Sequence, residues 1–350
     1  MRCRHASVIL VALLAACGGG ESTAPDPYGN PYGITASGPG VLTVSPLDTS
    51  THVASTPLGY LAPPGHVLPT DHVYLYFVDP WSGQQQNNDC RPRPVRAAGS
   101  GVVTFTLVTE SQGDTKVDIQ MTRTFHYFYD HVLLKPGIGV GSRVKAGDTI
   151  ATTTGRCPGI DLGVIDYEST PVGFVTPSHY SDGSVHAVSP YKYFAEPLRS
   201  WLYARVRLME GVPANKDGRT GWGAAGTLAG DWFHVSLASA PGYTMSGPVG
   251  WPKSISFAYD WFDNTQPRIS VGGTIAEAGV LRVASGSPDF TSVTPASGLV
   301  VYQGTPSMGR IGAGWVLVQL TSATRLKVEY VAAGAAPPTA FSAAAQEYMR

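Results

Sequence analysis

The stretch 95–163 constrains the fold more than any other part of the chain. It reads Val95-Arg96-Ala97-Ala98-Gly99-Ser100-Gly101-Val102-Val103, then Tyr127-Phe128-Tyr129-Asp130-His131-Val132, then Val140-Gly141-Ser142-Arg143-Val144-Lys145-Ala146-Gly147-Asp148-Thr149-Ile150-Ala151. Short β-forming runs separated by glycine turns suit a compact barrel or sandwich of short strands. The bias extends beyond this stretch: 41 glycines and 28 prolines in 350 residues favour turns and short strands over long helices. A chain of this length usually exceeds one hydrophobic core, so two domains with tails are expected.

Taken in order, the sequence predicts a mainly β protein. Residues 18–33 are rich in Gly, Pro, Ser and Asn and form a flexible tether. Asp71 to Phe77 is a candidate strand, and 81–93 a polar surface loop. Residues 102–110 and 116–129 alternate apolar and polar side chains, which predicts a hairpin across Ser111-Gln112-Gly113-Asp114. Residues 196–210 place Leu198, Trp201, Leu202, Val206 and Met209 at helical spacing, so one amphipathic helix is expected to pack on the first domain or to link it to the C-terminal part of the chain. Beyond Gly211, seven β candidates recur at short intervals: 228–237, 254–261, 268–275, 280–284, 298–303, 314–320 and 325–331. Such a series predicts a second all-β domain, a sandwich or small barrel. Gly230-Asp231-Trp232 resembles the Gly-x-Trp signature of lipocalin-like barrels, and residues from 332 onward form an Ala/Pro-rich, frayed tail. The expected division is therefore 1–16 signal peptide, 17–35 tether, 36–195 first domain, 196–211 helix, 212–335 second domain and 336–350 tail.

Arg2 and Arg4 precede an apolar run, Val8 to Leu14, that suits a signal peptide and is too short to span a bilayer. Leu14-Ala15-Ala16-Cys17 resembles the lipobox of bacterial lipoproteins, which implies cleavage before Cys17, its acylation, and attachment to a membrane. No Asp follows Cys17, so the expected place is the cell envelope, on the outer membrane facing the periplasm. Cys90 and Cys157 then remain, and in an oxidising compartment they are expected to pair as a disulfide. The 24 basic and 25 acidic side chains, without long charge runs, leave no electrostatic footprint for nucleic acid.

Chemistry in the first domain would have to come from His66, Asp71, His72, His126, His131, Asp161, His179 and His186. Several motifs occur in sequence: Gly65-His66 with Asp71, Val95-x-Ala97 with Gly101-x-Val103, Tyr129-Asp130-His131-Val132, Val140-x-x-x-Val144-x-Ala146-Gly147-Asp148-x-Ile150, and Val188-x-Pro190-x-x-Tyr193. In this order of motifs, residues 61–194 resemble the lysostaphin and LytM type zinc endopeptidases. The resemblance implies a LytM-like β-sandwich or barrel-sandwich domain and cleavage of peptidoglycan cross-links at one zinc. Within it, His66 and Asp71 stand at the first two ligand positions and His131 at the catalytic histidine.

The third ligand departs from the pattern. Where the family carries His-x-His, this chain reads Asp161-Leu162-Gly163, and glycine has no side chain to offer a metal. The expectation is therefore a degenerate, non-catalytic domain without a cofactor, which binds peptidoglycan or regulates a cell-wall enzyme. The alternative is an atypical zinc peptidase held by His66, Asp71 and Asp161, with His131 as acid or base. A further alternative comes from a similarity of the same glycine blocks to biotinyl/lipoyl-like and membrane-fusion adaptor domains, which implies an adaptor of an envelope assembly. Strand alternation places Asp130 and His131 on opposite faces, so the sequence does not pair them.

Overall fold

The computed structural model describes residues 30–80, 90–109, 114–154, 158–207, 213–263, 265–334 and 336–350. Cys17, most of the tether and Cys157 lie outside these, so the expected lipidation and the Cys90–Cys157 bond fall outside the described residues. Among the described residues, no helix is long and apolar enough to cross a membrane.

The chain is mainly β in two parts. The first is a sheet of ten strands: β1 (Ala54–Ser55), β2 (Val73–Tyr76), β3 (Pro94–Arg96), β4 (Gly101–Thr109), β5 (Asp114–Thr122), β6 (Phe125–Leu134), β7 (Arg143–Val144), β8 (Thr149–Thr153), β9 (Gly159–Asp166) and β10 (Ala187–Val188). Its order is β1-β2-β9-β6-β5-β4-β7; β10 pairs with β9, and β8 pairs with both β3 and β6. The expected hairpin in the 102–129 region is formed by β4 and β5, and only its second run differs: Arg123 and Thr124 interrupt it, so its last residues belong to β6, the third strand of a meander.

The Val-x-Ala-Gly-Asp-x-Ile block is a turn with its anchors. Val144 and Ile150 are buried, Gly147 has φ +92°, and the Lys145 N–H donates to Asp148 Oδ2 at 2.8 Å. The left-handed turn requires glycine, and the Gly147 N–H ties it to the Ala97 carbonyl at 2.9 Å. Register puts Val73, Leu162 and Tyr129 side by side on one face of the sheet, all fully buried in the core with Val95, Val117 and Ile150. Their neighbours, one residue along each strand, face the other way.

The expected 196–211 helix is shorter: a helix spans Leu198–Tyr203, and Val206 then bridges Ser55 in parallel. Leu202 and Val206 join the core of the sheet domain, so this segment belongs to the first domain more than it links two. Residues 208–212 lie outside the described residues.

The second part is a closed antiparallel barrel: β11 (Gly230–His234), β12 (Ser254–Tyr259), β13 (Pro267–Val271), β14 (Gly279–Val283), β15 (Val300–Gly309), β16 (Gly314–Ser322), β17 (Arg325–Ala332) and β18 (Gln346–Met349). Seven of these fall on the predicted runs. The eighth lies in the segment expected to fray: β18 pairs with both β17 and β11 and closes the barrel. Its Tyr348 is fully buried, which outweighs the poor strand propensity of the preceding Ala/Pro segment. Trp232 is fully buried near one end. The Arg350 guanidinium lies 4.1 Å from its ring centroid and donates to the carbonyls of Ala229, Ala224 and Thr227.

Candidate functional site

The face of the sheet opposite the core carries the polar side chains. Asp161 on β9 sits between Tyr74 on β2 and Asp130 on β6, and Gly163 sits beside Phe128. Cross-strand partners share a face, so Asp161, Asp130, Gly163 and Phe128 all point away from the core.

At the centre is His72, one residue before β2. Its Nδ1 bonds Asp71 Oδ1 at 2.9 Å, and its Nε2 lies 3.2 Å from Asp161 Oδ2. The Ser184 hydroxyl donates to the second oxygen of Asp71 at 2.8 Å. Asp161 reaches onward to His131 Nε2 at 3.6 Å, and His131 Nδ1 bonds Asp114 Oδ2 at 2.8 Å. A continuous chain of groups thus runs from Ser184 through Asp71, His72, Asp161 and His131 to Asp114. It is charge-compensated by Lys116, whose ammonium lies 3.8 Å from the Phe128 ring centroid.

Burial and neighbouring charge oppose each other here. Burial alone would lower His72, but Asp161 and Asp71 outweigh it and the imidazole holds its proton more tightly than usual. Burial likewise disfavours charge on His131, and Asp161 with Asp114 reverses it upward. For Asp161, burial prevails over both histidines and the carboxyl is pushed up. Burial would raise Asp71 too, yet the His72 hydrogen bond and charge hold it well below the usual carboxylate range. His66 is different: its ring packs edge-on to His72 at 5.1 Å and against Trp251 of the barrel domain at 5.3 Å, and burial pushes it down to about 3.

His131 owes its position to a bulge. Thr115 pairs with Val132 and Val117 with Tyr129, so the single residue Lys116 opposes both Asp130 and His131. His131 has φ +62°, a conformation rare outside glycine. The expectation that Asp130 and His131 face apart is therefore corrected. Ligand atoms of Asp114, Asp130 and His131 lie within 4.8 Å of one another, the one such group of three among the described residues. Strand alternation fails because the bulge inserts a residue.

Of the sequence-predicted residues, Asp71, Asp161 and His131 are brought together, with His72 joining them, and His66 lines the same place. His66, Asp71 and Asp161 do not form a three-ligand group within that spacing among the described residues. The position of the missing ligand is filled: a Cβ on Gly163 would lie 2.1 Å from the Phe128 ring. The residues present thus do not fit the zinc site that the resemblance implies. His126, His179 and His186 lie outside the chain of groups. Sequence reasoning missed Asp114, Lys116, Phe128, Ser184 and Trp251, which come from three separate parts of the chain and carry no local motif.

No family model matches the chain, and none of the curated proteins matches it. Parts of several solved structures resemble part of it. Csd3 from Helicobacter pylori is 21% identical over 37% of this chain and 31% of its own, with a TM-score of 0.26. A zinc containing peptidase from Vibrio cholerae is 19% identical over 37% of this chain and 40% of its own, TM-score 0.25. The catalytic domain of the antimicrobial peptidase lysostaphin from Staphylococcus simulans is 19% identical over 34% of this chain and 80% of its own, TM-score 0.22. The chain spans about a third of the length of the Csd3 structure. Likenesses of this extent carry no argument about activity.

Proposed function

We propose that the chain is a lipid-anchored protein of the bacterial cell envelope. Its sheet domain uses a LytM-type scaffold to bind peptidoglycan or a cell-wall enzyme, without cutting cross-links as the zinc endopeptidases do. One observation carries this reading: the Phe128 ring occupies the space that a side chain at position 163 would need. Trp251 of the barrel domain, whose ring packs against His66 at 5.3 Å, adds to it by crowding the first ligand position. The motif order across residues 61–194 and the Gly147 turn support the scaffold.

Anchoring rests on Arg2, Arg4, the apolar run and Leu14-Ala15-Ala16-Cys17. The outer membrane facing the periplasm is the place this reading favours. The Cys90–Cys157 disulfide belongs to the same reading. Pro94 pairs with Thr152, which directs the residues before one strand and after the other to the same end of the pair.

The test incubates the purified chain with insoluble peptidoglycan and measures co-sedimentation together with release of soluble fragments. Binding without release supports the reading. A second reading, a zinc peptidase held by His66, Asp71 and Asp161 with His131 as acid or base, is favoured by one observation: Asp161 faces His72 and His131, away from the core. Fragment release that disappears in His66→Ala decides for it.

A further inference from the structure

We propose that Asp114, Asp130 and His131 bind one divalent first-row transition cation, at a place distinct from the zinc position that the family resemblance implies. The two share His131, there as an acid or base and here as a ligand, and Asp161, there as a ligand and here as the carboxylate behind the ring.

Three observations lead to it. The bulge opposite Lys116 turns His131 into the left-handed region, and with Asp130 it meets Asp114 from the neighbouring strand, one ligand atom of each lying within 4.8 Å of the others. Small side-chain rotations bring such a set to coordination distances of about 2.0–2.2 Å. Next, the Asp114 carboxylate is 2% exposed and faces the imidazole through Oδ2, while its Oδ1 is buried without a hydrogen-bond partner. A buried carboxylate oxygen that no donor satisfies is costly, and a cation at this spot removes the cost. Finally, the far side of the ring is prepared. With Nδ1 on the metal, Nε2 lies 3.6 Å from Asp161 Oδ2, which puts a carboxylate behind the ring at ion-pair distance, as in the carboxylate–histidine–metal arrangement.

The side chain of His131 is 39% exposed, so an ion reaches the cluster from solvent. Two carboxylate oxygens and one imidazole nitrogen suit zinc or manganese better than calcium or monovalent copper. Binding replaces the proton that Nδ1 shares with Asp114, and that proton leaves to solvent. Three protein ligands leave at least one coordination position for water.

The full chain, stripped with a chelator and dialysed, is titrated with Co2+ followed by visible absorption, then with Zn2+ as competitor. One equivalent of Co2+ is expected, displaced by Zn2+, with proton uptake by the buffer that rises as the metal binds. Asp114→Asn and Asp130→Asn are each expected to weaken binding by at least about tenfold. His66→Ala and Asp71→Asn are each expected to weaken it less than either of these. Far-UV circular dichroism checks folding, and if Asp114→Asn does not fold, the more exposed Asp130→Asn decides. Absence of Co2+ binding by the folded chain overturns the proposal. So does loss of binding in His66→Ala or Asp71→Asn with retention in Asp130→Asn, which places the ion at the family position. Peptidoglycan co-sedimentation does not enter these readouts, so the two readings fail separately.

Discussion

Both domains bury charged groups, and they treat them in opposite ways. At the end of the barrel, Arg350 donates to four backbone carbonyls, those of Ala229, Ala224, Thr227 and Ala323, over the Trp232 ring. Asp231 on the same strand accepts from Ser256 at 2.5 Å and from Tyr180 of the first domain at 3.0 Å. Both oxygens of this carboxylate and both terminal nitrogens of the guanidinium have partners inside the protein, the buried Arg350 Nε alone being without one among the described residues, and the two groups close this end of the barrel. On the site face of the sheet, the groups instead form an open-ended chain from Ser184 to Asp114, with one oxygen of Asp114 unsatisfied and His131 partly in water. A polar cluster closed on backbone carbonyls and hydroxyls stabilises a fold. One that ends at a carboxylate with an unsatisfied oxygen, beside a partly exposed imidazole, has capacity left for a ligand.

The largest effect should come from the barrel. Trp232→Ala removes a fully buried indole and the surface under Arg350, and is expected to cost about 3–5 kcal/mol in chemical denaturation. A loss below about 1 kcal/mol would mean that this end of the barrel is not held by that pair. Next comes Asp231, which burial pushes up from 3.8 to about 6. A raised carboxyl favours the folded state in its protonated form. Its contribution is therefore complete below pH 3.8 and lost as pH rises through 6, a change on the order of 3 kcal/mol. Unfolding free energies measured from about pH 3.5 to 7 should lose that slope in Asp231→Asn.

On the sheet, Gly163→Ala forces a methyl group against Phe128 and should cost about 1–3 kcal/mol. In a double-mutant cycle with Phe128→Ala, part of that cost should return, with a coupling of about 0.5–3 kcal/mol. Additive losses would show that Phe128 moves aside freely and that position 163 is open to a ligand. The smallest effect is expected for Ser184→Ala, which removes one hydrogen bond to Asp71 and should lower stability by about 0.5–1.5 kcal/mol. A thermal melt resolves it.

Much of the fold was legible in the chain. Seven barrel strands coincide with predicted runs, and Gly147, Asp148 and Ile150 occupy the turn their spacing implies, because period-two alternation and turn chemistry act over a few residues. The site was legible in part. Asp71, Asp161 and His131 were candidates from their order, and Gly163 marked the departure from the zinc pattern.

The order of residues along the chain therefore settles local matters: where strands run, where glycine must turn, and which ligand is missing. Packing between distant segments settles the others. It placed Gln346–Met349 as the closing strand, because pairing on both sides and burial of Tyr348 outweigh a weak local signal. It set Phe128 across Gly163 through the register of β6 on β9, and gathered Asp114, Asp130 and His131 through a one-residue bulge. Register and bulges depend on how distant strands pack, and no window of sequence contains that information.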